Sequence, residues 1–329
     1  MWLWGFHCIR RFSLKSFGGS RYPQSSFTTS SKSPRFPYIC GLKSVFTLQT
    51  NLRLFDYGKW TSQLPHISSQ YQAASPYPHI VLENFLEPQI LERCIDEFDA
   101  LNEADGWINY VHFNENKRGL NNLEQLPETI QQTIKDLSTP EFLEFLSALT
   151  GIKNLQKDDH LEGGGIHQST KGGYLNIHAD FTVHPHHRHW QRRINLLVYL
   201  NKDWKEEWGG KLELWDKEMK ACVEKILPVF NRCVIFNTDP DSYHGHPEPM
   251  TCPEGKFRRS IALYYYTIEK HPLKRATHYV ARPEEDKGKR FMVNLDNMML
   301  STYTWLKGVL GSNDKIVSGV LRFFSGKKK

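Results

Sequence analysis

The 329-residue sequence lacks the features that mark membrane-spanning, disulfide-rich and zinc-ribbon proteins. It contains no run of about 18 apolar residues, which excludes a membrane-spanning helix. Its six cysteines are scattered irregularly and form no C-x-x-C pair, so reduced thiols are favoured over a disulfide framework or a zinc ribbon. Hydrophobic residues make up 39% of the chain, which is enough for a well-filled core and excludes wholesale disorder.

Acidic residues are absent from the first 55 positions, which hold eight of the 42 lysines and arginines. The other 34 lie in the remainder with all 36 acidic residues, a balance that argues against a nucleic-acid-binding module. The N-terminal segment is rich in Arg and Ser and begins with Trp2, Leu3 and Trp4, so it resembles an organellar transit peptide. An unstructured tail or a start codon too far upstream is the alternative, so cytoplasmic and organellar locations both stay open.

Changes in composition divide the chain into four regions. These are a basic Ser/Arg-rich segment (1–55), a support region of helix and strand (56–150), a core of short strands (151–270) and a helical extension with a basic tail (271–329). The core strands are interrupted by Gly, Pro, Asn and Asp, which favours a closed or double-sheet β architecture over a βαβ sheet.

Periodicity predicts the individual elements. In the support region we expect a strand at 77–82 and helices at 87–99, 126–137 and 140–149. In the core we expect strands at 193–200, 211–215, 232–236 and 257–267. In the extension we expect helices at 292–310 and 315–324. The last helix, which ends in lysines, is either a packed amphipathic helix or a contact with an anionic membrane.

The triplet His178-Ala179-Asp180, followed at a distance by His244, predicts a metal centre. Alternate residues of a strand point to one side, so His178 and Asp180 share a face. Two imidazoles and a carboxylate cap one face of a metal, leave the opposite positions free and form the ligand set of non-haem Fe(II) oxygenases. His246 shares a strand face with His244 and is the alternative third ligand.

The motifs around this triplet resemble a known family. GGYLNIHADF is followed in order by RRINLLVYLNKDW, WGGKLELWD, ILPVFNRCVIFNT, SYHGHP and FRRSIALYYYT, and the series resembles the iron(II)/2-oxoglutarate dioxygenases related to prolyl 4-hydroxylases. The resemblance covers roughly residues 80–270. It implies a mainly β fold with flanking helices and a double-stranded β-helix, or jelly roll, as its core. It also implies Fe(II), 2-oxoglutarate as cosubstrate, O2 as co-reactant and L-ascorbate as the reductant that restores oxidised iron.

The resemblance assigns roles to particular residues. It places the third metal ligand at His244, directly after Ser242-Tyr243. It implies that Arg258, in an R-x-S pattern with Ser260, anchors the far carboxylate of 2-oxoglutarate, since a guanidinium pairs bidentately with a carboxylate and keeps its charge. It also implies that Tyr199 helps to hold that carboxylate.

Strand alternation adds two further expectations. Asn195 shares the face of Tyr199 and is expected to line the pocket, whereas Arg259 is expected to point outward. Four histidines between the core strands, at positions 184, 186, 187 and 189, are interpreted as solvated loop residues, with a zinc site as the alternative.

The substrate is only partly indicated. The motifs are most similar to the prolyl 4-hydroxylase branch, which implies peptidyl proline. A peptide-binding repeat domain is not recognisable and the interval from His244 to Arg258 is long, so a small molecule, sugar or lipid stays open. Two rival classes are a non-catalytic jelly-roll binding module and a cupin-type metalloenzyme, and the latter has no need of an interior carboxylate anchor. The sequence does not indicate an oligomeric state.

Overall fold

A computed structural model describes residues 53–101 and 106–310 of the chain, without the side chains of 300 and 302–310. The described residues all belong to one compact unit. The transit-like segment up to residue 52, the expected helix at 315–324 and the basic tail lie outside the described residues, so the expectations for them stay predictions.

Five α-helices form in the described ranges, and most lie where periodicity predicts them. They are α1 (Tyr57–Ala73), α2 (Pro88–Ala100), α3 (Glu128–Asp136), α4 (Pro140–Thr150) and α5 (Lys287–Leu310). Helix α4 begins where the Thr139 hydroxyl accepts a hydrogen bond from the Phe142 amide, and it ends at Gly151, which adopts φ = 76°. Helix α1 was not predicted. No helix in the described part of the chain combines the length and apolar character needed to cross a membrane.

The same ranges contain thirteen strands in one antiparallel sheet. The strands are β1 (His79–Leu82), β2 (Ile108–His112), β3 (Glu115–Leu120), β4 (Gln156–Lys157), β5 (Gly165–Ser169), β6 (Tyr174–Ala179), β7 (Trp190–Tyr199), β8 (Leu212–Trp215), β9 (Cys222–Ile226), β10 (Cys233–Asn237), β11 (His244–His246), β12 (Arg258–Ile268) and β13 (His278–Tyr279). Their order is β1-β10-β7-β12-β5-β3-β6-β11-β8-β9, with β2 on β3, β4 on β12 and β13 on β6.

Strands from the two halves of the sheet line one cavity, which shows that the sheet curls back on itself. Strands β7 and β12 contribute Asn195 and Ser260 to this cavity, and strands β6, β8 and β11 contribute His178, Leu212 and His244. The expected mainly β jelly roll with flanking helices is therefore confirmed.

The main hydrophobic core lies between the helices and the outer face of this sheet. Alternate residues of β7 and β12 belong to it, including Leu196, Val198, Ile261 and Leu263. The intervening residues face the cavity, so the two-residue period of each strand separates the core from the site.

Arg259 points outward, as predicted, but it is buried. It lies on the face opposite Arg258, as alternation predicts, but it is only 7% exposed because α2 covers it. Its guanidinium donates to Gln168 Oε1 (3.1 Å) and pairs with Asp99 Oδ1 (2.7 Å). Its planar group also lies over the Phe98 ring, 5.1 Å from the centroid. The outward-facing arginine is thus a tether between strand β12 and helix α2.

We expect Arg259→Ala to lower the free energy of unfolding by about 1–3 kcal/mol, because buried Gln168 loses its hydrogen-bond donor. Asp99→Ala is the matched control and should cost less than about 1 kcal/mol, since the Asp99 carboxylate is largely exposed. Urea denaturation followed by circular dichroism measures both values. Equal, near-zero effects would show that Arg259 does not stabilise this face.

Candidate active site

His178, Asp180 and His244 converge at one end of the cavity. The register of β6 and β11 sets His178 directly opposite His244, and the ring centroids are 4.5 Å apart. Asp180 follows β6 and places Oδ1 3.5 Å from His178 Nε2 and Oδ2 3.5 Å from His244 Nε2. Among the described residues, this is the only trio of His, Cys, Asp or Glu side chains whose donor atoms all lie within 4.8 Å of one another.

The protonation of this trio fits a metal cation. The Nδ1 atoms of His178 and His244 each donate to a backbone carbonyl, of Asn176 (2.9 Å) and Ser242 (2.9 Å), so each Nε2 carries a lone pair when the ring is neutral. Burial, and next the neighbouring His178, lower the pKa of His244 to about 3, so that ring is neutral. At His244 a lone pair therefore faces a carboxylate oxygen at 3.5 Å, an arrangement that a cation between them stabilises.

Asp180 is held as a carboxylate by two buried neighbours. Burial pushes its pKa upward, but the Arg192 guanidinium, with Nη2 2.9 Å from Oδ2, is the main influence that holds the pKa well below its usual range. The Asn195 amide donates to the same Oδ2 (2.7 Å). These contacts orient the carboxylate and leave Oδ1 facing His178.

Arg192 is the main supporting residue that the sequence did not reveal. It is fully buried, and its guanidinium lies 3.4 Å from the Tyr264 ring centroid and 4.7 Å from that of Phe181. It also donates to Asn195 Oδ1 through Nε (3.0 Å) and Nη2 (2.6 Å). Asn195 lines the cavity, as strand alternation predicts, but its side-chain amide is committed to Asp180 and Arg192.

Arg258 enters the cavity from β12 and has no acidic partner in the described part of the chain. Its Nε donates to the Gly210 carbonyl (2.8 Å) and its Nη2 donates to the Tyr199 hydroxyl (3.2 Å). Gly210 is needed here because a Cβ would lie 3.0 Å from Arg258 Cδ and 2.8 Å from Met250 Sδ. Ser260, also predicted, lines the cavity two residues along the strand.

The cavity that joins these groups has a volume of about 240 Å³. Its wall includes further polar side chains that sequence reasoning missed: Tyr110, Glu115, Lys117, His167, Arg192, Thr277 and Tyr279. His246 also lines it, 4% exposed, and its Nδ1 has no hydrogen-bond partner. Burial, and next the nearby Arg258 and Lys117 charges, lower its pKa well below the usual range. His246 is therefore a neutral cavity residue outside the convergent trio.

The histidine cluster after Asp180 is not uniformly solvated. His184 is 1% exposed and its Nε2 contacts Asp158 Oδ1 at 3.0 Å, so the expectation of a solvated loop is wrong for this residue. The amide of His186 donates to His184 Nδ1 (3.1 Å), which satisfies both ring nitrogens. His184 is thus a structural residue that joins two loops.

Comparison with known proteins now gives the class of this site. Residues 164–266 match the 2OG-Fe(II) oxygenase superfamily model. The match spans the convergent trio and Arg258, so this segment belongs to the 2OG-Fe(II) oxygenase superfamily, and the donor set fits Fe(II) and 2-oxoglutarate.

Three individual proteins to which this chain is similar share at most 24% sequence identity with it. The chain is similar to mouse (Mus musculus) prolyl 3-hydroxylase OGFOD1, 24% identical over 213 residues, which cover 58% of this chain and 33% of the mouse protein. It therefore spans about a third of that relative's length. Among solved structures, it is similar to a prolyl hydroxylase from Trichoplax adhaerens in complex with a hypoxia inducible factor peptide (20% identity, 64% of this chain, 91% of that one, TM-score 0.47). It is also similar to a prolyl 4-hydroxylase from Phytophthora capsici (17% identity, 64% and 65%, TM-score 0.46).

We expect His244→Ala to abolish stoichiometric metal binding and His246→Ala to preserve it, since His244, unlike His246, directs a nitrogen at Asp180. Anaerobic dialysis against Fe(II), followed by metal analysis of the folded protein, separates the two variants. Metal retention by His244→Ala with loss in His246→Ala would move the third ligand to His246.

Proposed function

We propose that this protein is an Fe(II)/2-oxoglutarate-dependent dioxygenase that hydroxylates a C–H bond. His178, Asp180 and His244 would hold the iron, and Arg258 with Tyr199 would hold the far carboxylate of 2-oxoglutarate. The superfamily match over residues 164–266 and the single convergent donor trio of the described residues both support the proposal.

The observation that carries the cosubstrate assignment is the charge of Arg258, which pairs with no acidic side chain among the described residues. A buried guanidinium without a carboxylate partner is costly unless an anion joins it. The other cavity cations are already paired in the described structure: Arg192 with Asp180, and Lys117 with Glu115 at 3.3 Å. A dicarboxylate with one end at the donor trio and the other at Arg258 balances the remaining charge. This requirement favours a 2-oxoglutarate enzyme over the cupin-type alternative.

Each protein group has a defined task in this reaction. When bound, Fe(II) and 2-oxoglutarate would supply the electrons that activate O2, with release of CO2 and succinate. Asn176 and Ser242 fix the imidazole tautomers through their carbonyls, while Arg192 and Asn195 keep Asp180 ionised and oriented. The three proposed ligands are at most 8% exposed, which limits solvent access to the reacting groups.

Peptidyl proline is the substrate class that we propose. It is supported by the sequence similarity to a mouse protein named as a prolyl 3-hydroxylase, which agrees with the motif similarity to prolyl hydroxylases. The chain spans only a third of that relative, so the substrate class has to be decided by direct assay with proline-containing peptides.

The cofactor assignment is tested by titrating the protein anaerobically with Fe(II) and then with 2-oxoglutarate. We expect a weak visible charge-transfer band, since bidentate chelation needs adjacent open iron positions. Addition of O2 and ascorbate should then release succinate slowly, and faster with a proline-containing peptide. A folded protein that gives neither band nor succinate would support a non-catalytic binding module instead. Stimulation only by small molecules, sugars or lipids would refute the peptide substrate alone.

Arg258→Ala should weaken 2-oxoglutarate binding by about 2–5 kcal/mol, or at least about 30-fold, because a desolvated carboxylate loses its bidentate partner. Lys117→Met is the matched control: it removes one positive charge from the same cavity, but that charge is paired with Glu115. We expect a smaller loss of affinity in the control than in Arg258→Ala, because the Lys117 charge is already balanced by Glu115. The anaerobic band measures both affinities. A larger loss in Lys117→Met would reassign the anchor to Lys117.

A further inference from the structure

The chain beyond the last long strand returns to the metal-binding end of the sheet. The Arg275 carbonyl accepts from the Thr182 amide (3.0 Å), and the Arg275 amide donates to the Thr182 hydroxyl (2.8 Å). Strand β13 then pairs antiparallel with β6, with His278 opposite Ala179 and Tyr279 opposite His178. The extension is therefore an edge strand beside the strand that carries the first proposed ligand.

Tyr279 places its ring against that ligand. Its centroid lies 5.3 Å from the His178 centroid at an interplanar angle of 38°, and Tyr279 is 4% exposed. Its hydroxyl lies beside the Glu115 carboxylate, and both Tyr279 and Thr277 line the cavity. A side chain from outside the superfamily match thus forms part of the wall behind the donor trio.

Helix α5 fixes Tyr279 from its other side. The Asn297 side chain accepts from the Tyr279 amide (2.9 Å) and donates to the Tyr279 carbonyl (2.7 Å). The adjacent Asp296 is 5% exposed and accepts from His112 Nδ1 (2.8 Å) and from the Asn114 amide group (2.6 Å). Two successive helix residues therefore bind the edge strand and the β2–β3 turn at the same place.

The same contacts continue to the backbone group that orients His178. Asn114 Oδ1 accepts from the Asn176 side chain (2.9 Å), and the Asn114 carbonyl accepts from the Asn176 amide (2.8 Å). The Asn176 carbonyl in turn accepts from His178 Nδ1. His178 is thus contacted on its ring face by Tyr279 and through Nδ1 by a network that ends on α5.

We propose that Tyr279 is a positioning residue for the metal ligand His178, and that Asp296 and Asn297 of helix α5 set its place. The inference rests on the metal assignment of the proposed function and extends the site to the C-terminal region. Groups that orient a metal-binding histidine govern metal affinity as well as geometry, and their loss costs about 10–100-fold in affinity or activity.

The test is an anaerobic titration of the full chain with Co(II), read from the visible bands of the bound ion, for the parent and three variants. Tyr279→Leu removes the ring that contacts His178 and should weaken Co(II) binding at least about tenfold and alter the band shape. Tyr279→Phe keeps the ring and should restore affinity and spectrum. Phe291→Ala changes a 66% exposed residue of helix α5, and this variant should bind Co(II) like the parent.

A folded Tyr279→Leu protein with parental Co(II) affinity and spectrum would overturn the proposal, whatever its thermal stability. If Tyr279→Leu does not fold, Asn297→Ala decides, because it removes both hydrogen bonds that hold the Tyr279 backbone and keeps the tyrosine itself. Weaker Co(II) binding by that variant supports the proposal, and unchanged binding overturns it. A parent protein that binds no Co(II) would instead refute the metal assignment itself.

Discussion

The register between β6 and β11 is the constraint on which the site depends, because it sets His178 directly opposite His244. Opposed residues of antiparallel strands have Cβ atoms about 4.5–5.5 Å apart, close enough for two imidazoles to share one ion. Gly245 permits this approach, since a Cβ there would lie 2.7 Å from the Leu175 carbonyl oxygen. A shift of the β11 register by one residue would turn His244 and His246 to the opposite face of the sheet. His244 would then no longer lie beside His178 and Asp180.

Two buried arginines determine the orientation in which a dicarboxylate can bind in the cavity. Arg192 compensates Asp180, so this proposed metal ligand can keep its full negative charge away from solvent. Among the described residues, Arg258 is compensated only by the dipoles of Gly210 and Tyr199, so it retains an attraction for an anion. A dicarboxylate is therefore favoured in one orientation, with its far end at Arg258. The fold positions both charges by the same device, a side chain on the inner face of a long strand.

The residues whose positions follow simple strand alternation could be predicted from the sequence. His178, Asp180, Arg258 and Ser260 lie where a two-residue period puts them. Arg192 does not, because Tyr265 pairs with Ile194 whereas Tyr266 pairs with Arg192, which leaves one extra residue in β7. This bulge reverses the faces of the strand, and nothing in the local sequence marks it.

Two other features could not be predicted from the sequence: burial of a residue by a packed helix, and contributions to the site from distant parts of the chain. Alternation placed Arg259 on the outer face, but the position of α2 over that face decides its burial. Lys117 and Glu115 belong to a polar hairpin whose sequence carries little apolar periodicity. Tyr279 comes from beyond the resembling region. Such residues join the site through long-range pairing, which a single sequence does not show.

The most direct test of the central claim is a crystal structure of the protein grown anaerobically with Mn(II), as an inert substitute for Fe(II), and 2-oxoglutarate. The account predicts one metal ion bound by His178 Nε2, His244 Nε2 and Asp180, chelated by the keto acid, with the far carboxylate paired with Arg258. A metal bound instead through His246, or a 2-oxoglutarate whose far carboxylate pairs with Lys117 and leaves Arg258 free, would contradict it.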